Sequence, residues 1–226
     1  MMKGRESLLL TLFLTLAQLT AGGAELRSLS GTVRYQADPN TPWRFQRYYV
    51  ADPTMGFLAE AVVALKPAEP FPQTFPKPGA GVVVDQVNFQ FVPETVAVRT
   101  GQKVVFTNSD DSLHNVMLIH PKEAFNVNLG KGETYEHTFH VPVETFKPHR
   151  LGCVYHGSMR GWVFVFDHPF FALTGKDGSF QLKGIPIGKY ELEVHHPAGR
   201  LKITQPIEIK SDDSPSISVT LSPKNQ

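Results

Sequence analysis

The chain has 226 residues, with 22 Lys and Arg, 21 Asp and Glu, nine His and a formal charge of +1. That length permits one large or two small domains with a real core, and the even balance excludes the basic field that nucleic acid or an anionic membrane surface requires. A single cysteine, Cys153, excludes an internal disulfide and leaves a free thiol, an intermolecular bridge or a metal ligand.

Residues 1–24 read as an export signal: Lys3 and Arg5 precede the apolar run Leu8 to Leu19, and small residues follow to Gly22-Gly23-Ala24, with cleavage expected after Ala24. The run is short for a spanning helix and has no basic stop-transfer flank, and no cysteine stands at the cleavage point to carry a lipid. The expected location is periplasmic or secreted, with membrane association only if this segment is retained. Loss of Lys3, Arg5 and Glu6 leaves acidic and basic residues balanced. In an oxidising compartment a bare thiol is open to oxidation, which favours the ligand reading of Cys153.

A first strand is expected over Ser30 to Tyr35. The aromatic stretch Gln36 to Phe57 has no clean period and reads as a partly ordered loop. Leu58 to Lys66 has helix-forming residues, but its paired valines in a β context favour a strand. Prolines at 67, 70, 72, 76 and 78, closed by Gly79 and Gly81, exclude a regular element and mark 67–81 as a linker. Val82 to Val92 carries strand signals, Thr95 to Val98 alternates, and Gly101 turns the chain into Lys103 to Asn108. After Phe170 the alternation is plainest: a turn at Lys176-Asp177-Gly178, then Phe180 and Leu182, a turn at Gly184 to Gly188, and then Tyr190, Leu192 and Val194. Ile207 and Ile209, and then Ile217, Val219 and Leu221, supply two more half-buried strands.

Many short strands and no convincing amphipathic helix predict an all-β chain built from sandwiches. The strands of 25–66 and of 169–226 are each too few to close a sandwich alone. The economical arrangement pairs them with each other, with 82–168 inserted as a second β domain.

Within that insert Cys153 is followed by His156 and Met159, and His114 lies 39 residues upstream. One thiolate, two imidazoles and a thioether form a soft donor set suited to copper. Gly157 and Gly161 allow the sharp path of a short ligand loop. The pattern Cys-x-x-His-x-x-Met, joined to Asn108-x₅-His114-Asn115-Val116, resembles the cupredoxins, the plastocyanin-type blue copper proteins, and is most similar to the amicyanin type over residues 82–167. The resemblance implies a Greek-key β-sandwich holding one type 1 copper between Cu(I) and Cu(II). His114 and His156 would be the imidazole ligands, Cys153 the thiolate and Met159 the axial ligand. It also implies that Asn115 ties the two ligand loops together near the thiolate. Gly157 departs from the proline of that loop type.

SGTVRY, LAEAVVALK and TGKDGSFQLKGIPIGKYELEV resemble the prealbumin-like, carboxypeptidase regulatory-like sandwich, whose members are structural or adhesive. The combination is similar to exported bacterial proteins of plastocyanin-like or methylamine-utilisation-related type. These readings imply a non-enzymatic electron carrier that meets redox partner proteins, with copper storage or scaffolding as the alternative. A cysteine hydrolase is disfavoured because Cys153 and His156 should point poorly at each other around a strand end and no oxyanion glycine motif accompanies them. His137, His140, His168, His195 and His196 read as surface or loop histidines rather than a second metal site. His195 and His196, adjacent on a strand, must face opposite sides.

Overall fold

The computed structural model describes residues 26–43, 46–71, 74–211 and 215–225; the export signal read over 1–24 lies outside the described residues. In chain order the first strands are β1 (Leu26–Tyr35), β2 (Val62–Pro67), β3 (Val82–Val87), β4 (Gln90–Val92), β5 (Thr95–Arg99), β6 (Lys103–Asn108), β7 (His114–Leu118) and β8 (Phe125–Leu129). Then come β9 (Thr134–Thr138), β10 (His149–Gly152), β11 (Arg160–Phe166), β12 (Phe171–Leu173), β13 (Ser179–Pro186), β14 (Gly188–His196), β15 (Leu201–Ile209) and β16 (Ser216–Leu221). One helical turn, α1 (Gln46–Tyr49), lies between β1 and β2.

Four sheets result, ordered β13-β1-β16, β12-β2-β14-β15, β5-β11-β10-β7-β8 and β4-β3-β6-β9. The first two close over Leu29, Val33, Val63, Leu65, Leu182, Leu192 and Val219 as an outer sandwich. The last two close over Phe91, Val96, Phe106, Val116, Leu151, Val163 and Val165 as an inner one. From β3 to β11 the chain crosses repeatedly between the two inner sheets, as a Greek key does. In the outer sandwich β1 runs antiparallel to β13 and parallel to β16. Likewise β2 lies between β12 and β14.

The two sandwiches are stacked back to back. Val62 and Ala64 of β2 meet Phe164 and Phe166 of β11 in a third buried cluster, with Ala97, Trp162, Phe171 and Leu173 around it. Alternate residues of the same strands face the two separate cores. Both faces of β2 and β11 are therefore buried, which explains why VVAL and WVFVF read as unbroken apolar runs.

Several boundaries differ from the sequence reading. β1 starts earlier, at Leu26. The strand expected from Leu58 begins only at Val62, because Glu60 takes a left-handed conformation (φ 58°) and its amide turns to the Thr174 carbonyl. The segment Val82 to Val92 is a hairpin whose turn residues, Asn88 and Phe89, are both left-handed. That is the twist a two-residue hairpin needs, but it is reached here without glycine. The aromatic loop before β2 is docked: Tyr49 and Val50 are buried, and Trp43 stacks on Tyr49 at 5.6 Å.

Candidate metal centre

Asn108, at the end of β6, shapes the first ligand loop. Its side chain accepts from the Asp110 amide and donates to the carbonyls of Ser112 and Leu129. The loop thereby delivers His114, fully buried, at the start of β7. On the other side β10 ends at Gly152, paired with Arg160, and Cys153 begins the connection back to β11. The Met159 amide donates to the His156 carbonyl at 2.9 Å, folding that loop over itself.

These two loops bring His114 Nδ1 to 3.1 Å from His156 Nδ1, and the same His156 nitrogen to 3.6 Å from Cys153 Sγ. The three donor atoms lie within 4.8 Å of one another, the one such group found among the described residues. Such separations suit a single first-row ion bound at about 2.0–2.3 Å from each donor. Cys153 is buried, His156 is partly exposed, and Met159 is buried in the same core cluster as Cys153. One thiolate with two imidazoles is the donor chemistry that copper takes in trigonal sites.

The tautomer of His114 is set by a neighbour. Its Nε2 lies 2.7 Å from Asp110 Oδ2, so this nitrogen carries the proton and Nδ1 presents a lone pair to the centre. Asp110 also accepts from the amides of Asn88 and Phe89, at 2.7 and 3.0 Å. Burial opposes ionisation of this carboxyl, but those amides and the His114 ring outweigh it and hold Asp110 below the usual carboxylate range. The Phe89 ring stands edge-on to both imidazoles, 5.3 Å from His114 and 4.8 Å from His156.

Asn115 is buried; its Oδ1 accepts from the Val154 amide at 3.4 Å, and its Nδ2 donates to Asn126 and Asn128 of β8. It thus links β7, β8 and the Cys153 loop. Asp110, Phe89, Asn126 and Asn128 escaped the sequence reading. Asp110 sits in a run that looks like any polar turn, and Phe89 looks like a strand residue.

Two expectations need correction. Cys153 and His156 do point at each other, because the loop curls back after the strand ends. However, the facing nitrogen is shared with His114, which makes a three-donor cluster rather than a nucleophile and base. The remaining histidines are also not uniformly superficial. His168, His195 and His196 are buried, and each works in packing: Nδ1 of His168 accepts from the Phe170 amide, Nδ1 of His195 bonds the Thr145 carbonyl, and Nδ1 of His196 accepts from Gly199. His195 and His196 do face opposite sides, toward Phe164 and toward Trp43 respectively. His137 Nε2 and the His140 amide both bond Glu123.

No family model and no curated protein matches the chain. Among solved structures it is similar to a purple cupredoxin from Nitrosopumilus maritimus, with 22% identity over 37% of this chain and 98% of that one, at a TM-score of 0.32. It is also similar to amicyanin from Paracoccus versutus, with 26% identity over 39% of this chain and 91% of that one, at a TM-score of 0.34. A copper-containing nitrite reductase from Thermus scotoductus aligns at 26% identity over 46% of this chain and 26% of that one, at a TM-score of 0.36.

Proposed function

We propose that His114, Cys153, His156 and Met159 hold one type 1 copper ion and that the chain is an exported one-electron carrier. The observation that carries this reading is the convergence of two Nδ1 atoms and one Sγ within 4.8 Å, on two buried side chains and one partly exposed one. Copper, when bound there, supplies exchange of one electron between its two oxidation states. The chain's own residues do the rest. Asp110 fixes the His114 ring, Asn115 fixes the Cys153 loop, and Phe89 excludes water from the imidazole faces. Donors mounted on strand ends of a packed sandwich keep their positions, which keeps the rearrangement that accompanies transfer small.

His156 is the edge of the site nearest solvent, and Leu113, Val154, Tyr155 and Phe89 are exposed apolar neighbours in sequence or space. They offer a contact surface for redox partner proteins. The outer sandwich serves as a structural module of the carboxypeptidase regulatory-like kind.

The test is addition of Cu(II) to purified protein. An intense visible thiolate-to-copper band and its loss in Cys153→Ser support the reading; no band, or a band that survives that change, defeats it. Copper storage is the competing role: slow electron exchange with ready loss of the ion to a chelator favours storage, and fast reversible exchange favours the carrier.

A further inference from the structure

The outer sandwich reaches the ligand loop through a chain of polar contacts. Tyr49, buried in the outer core, donates its hydroxyl to one oxygen of Glu94, and Arg160 Nε donates to the other at 3.1 Å. Arg160 directly follows Met159 and opens β11. The Glu94 carbonyl also accepts from the Trp162 amide at 2.9 Å, and the Arg160 guanidinium lies over the Trp162 ring. One residue further, the relation is reversed: Glu60 of the outer sandwich accepts from the Thr95 amide at 3.0 Å. Two carboxylates therefore cross the junction in opposite directions at consecutive positions of the inner chain. Both are largely buried, and burial pushes both carboxyls up, opposed at Glu94 by Arg160 and at Glu60 by bonds from Thr95 and Glu94. A carboxylate so placed holds its partners tightly, because any partner it loses leaves a desolvated charge behind.

We propose that Tyr49, Glu94 and Arg160 form a positioning bridge by which the outer sandwich restrains the end of the ligand loop at Met159. The outer sandwich is then part of the site's rigidity as well as a module carried beside it. This rests on the copper reading only for its consequence at the metal; the restraint itself belongs to the protein alone.

The two parts are separable by experiment. Tyr49→Phe keeps the ring that stacks on Trp43 and removes only the hydroxyl, and Glu94→Gln keeps the shape and removes the charge that Arg160 pairs with. In metal-free full chain, both variants should show amide hydrogen exchange over residues 154–162 faster by about tenfold, the factor that matches loss of one charge-assisted bond. Cys153 should react with a thiol reagent correspondingly faster. Lys66→Gln, which breaks an exposed pair with Glu191 inside the outer sandwich, serves as the control and should change neither rate. Unchanged exchange in Tyr49→Phe and Glu94→Gln overturns the bridge. In copper-loaded protein the same variants should alter the EPR hyperfine pattern and the ratio of the visible bands. Faster exchange with spectra identical to wild type overturns the bridge's reach to the metal. If wild-type protein takes up no coloured copper, the functional reading fails, and the exchange data still decide the bridge.

Discussion

His114 Nε2 and Asp110 Oδ2 stand 2.7 Å apart, so a buried imidazole of the donor set is held by a carboxylate that also closes the Asn88-Phe89 turn. One side chain thus fixes a ring tautomer and supports two left-handed residues, one of them a phenylalanine for which that backbone conformation costs about 1–2 kcal/mol. Asp110→Ala should therefore do two things. Copper affinity should fall by roughly 10–100-fold, the usual effect of losing a partner of a ligating histidine. The amides of Asn88 and Phe89 should lose protection together. Competition with a chelator measures the first and hydrogen exchange the second. Asp110→Asn keeps an oxygen acceptor and should fall between the two.

Met159 is both a proposed donor and a buried core residue, and one substitution separates the roles. Met159→Leu nearly conserves volume, so its cost in stability should stay under about 1.5 kcal/mol in chemical denaturation. If the thioether faces the ion, its removal takes a donor from Cu(II), and the reduction potential should rise while the EPR spectrum changes. An unchanged potential and spectrum would leave Met159 as core alone.

Acid should weaken the fold through His168 and His196. Burial is the main cause in both: it pushes His168 down to about 4, with Asp167 opposing and Arg99 assisting, and His196 down to about 3, with His195 assisting. The unfolded groups titrate near 6.5. Above that value neither state is protonated and their contribution is fully present. As pH falls from about 6.5 toward 4, the unfolded chain binds protons that the folded chain refuses, so stability declines. Each group contributes up to about 1.4 kcal/mol per pH unit across that window. Urea denaturation at a series of pH values should show this slope, and His168→Asn, which keeps a side-chain acceptor for the Phe170 amide, should flatten it.

The cluster of His114, Cys153 and His156 was visible in the sequence because the single cysteine stood at a spacing from two histidines that a strand end and a tight loop bring together. Asn115 was legible only by resemblance; in the fold its Oδ1 accepts from the Val154 amide. Asp110 was not legible, since Asn108-Ser109-Asp110-Asp111-Ser112 reads as a generic turn and nothing local says which carboxylate reaches a ring or a hairpin across the sheet. The hairpin at Asn88-Phe89 was hidden for the same reason: its left-handed residues are held by a partner remote in sequence. Unbroken apolar runs such as those of β2 and β11 are the mark of strands buried on both faces. Period alone, however, cannot name the partner, so the stacking of one sandwich on the other stayed out of view.

That stacking has a measurable consequence. Phe164 is fully buried where β11 meets β2, with Val62, Ala64 and Phe166 around it and the His195 ring 5.7 Å away. Phe164→Ala removes a large side chain from a site whose walls are two sheets, each already packed on its other face and unable to collapse inward. The cost should therefore lie in the usual range for such a change, about 3–5 kcal/mol. Its location matters more than its size, because the loss falls on the interface and leaves both separate cores intact. Wild-type protein should unfold in one transition, since each sandwich relies on the other to cover an apolar face. The variant should unfold in two, with the fluorescence of Trp43 and Trp162 and the calorimetric heat no longer coincident. A single transition merely shifted to lower denaturant would show that the remaining contacts, the apolar ones of Val62, Ala64 and Phe166 and the polar ones of Glu60, Glu94 and His195, suffice to couple the two sandwiches.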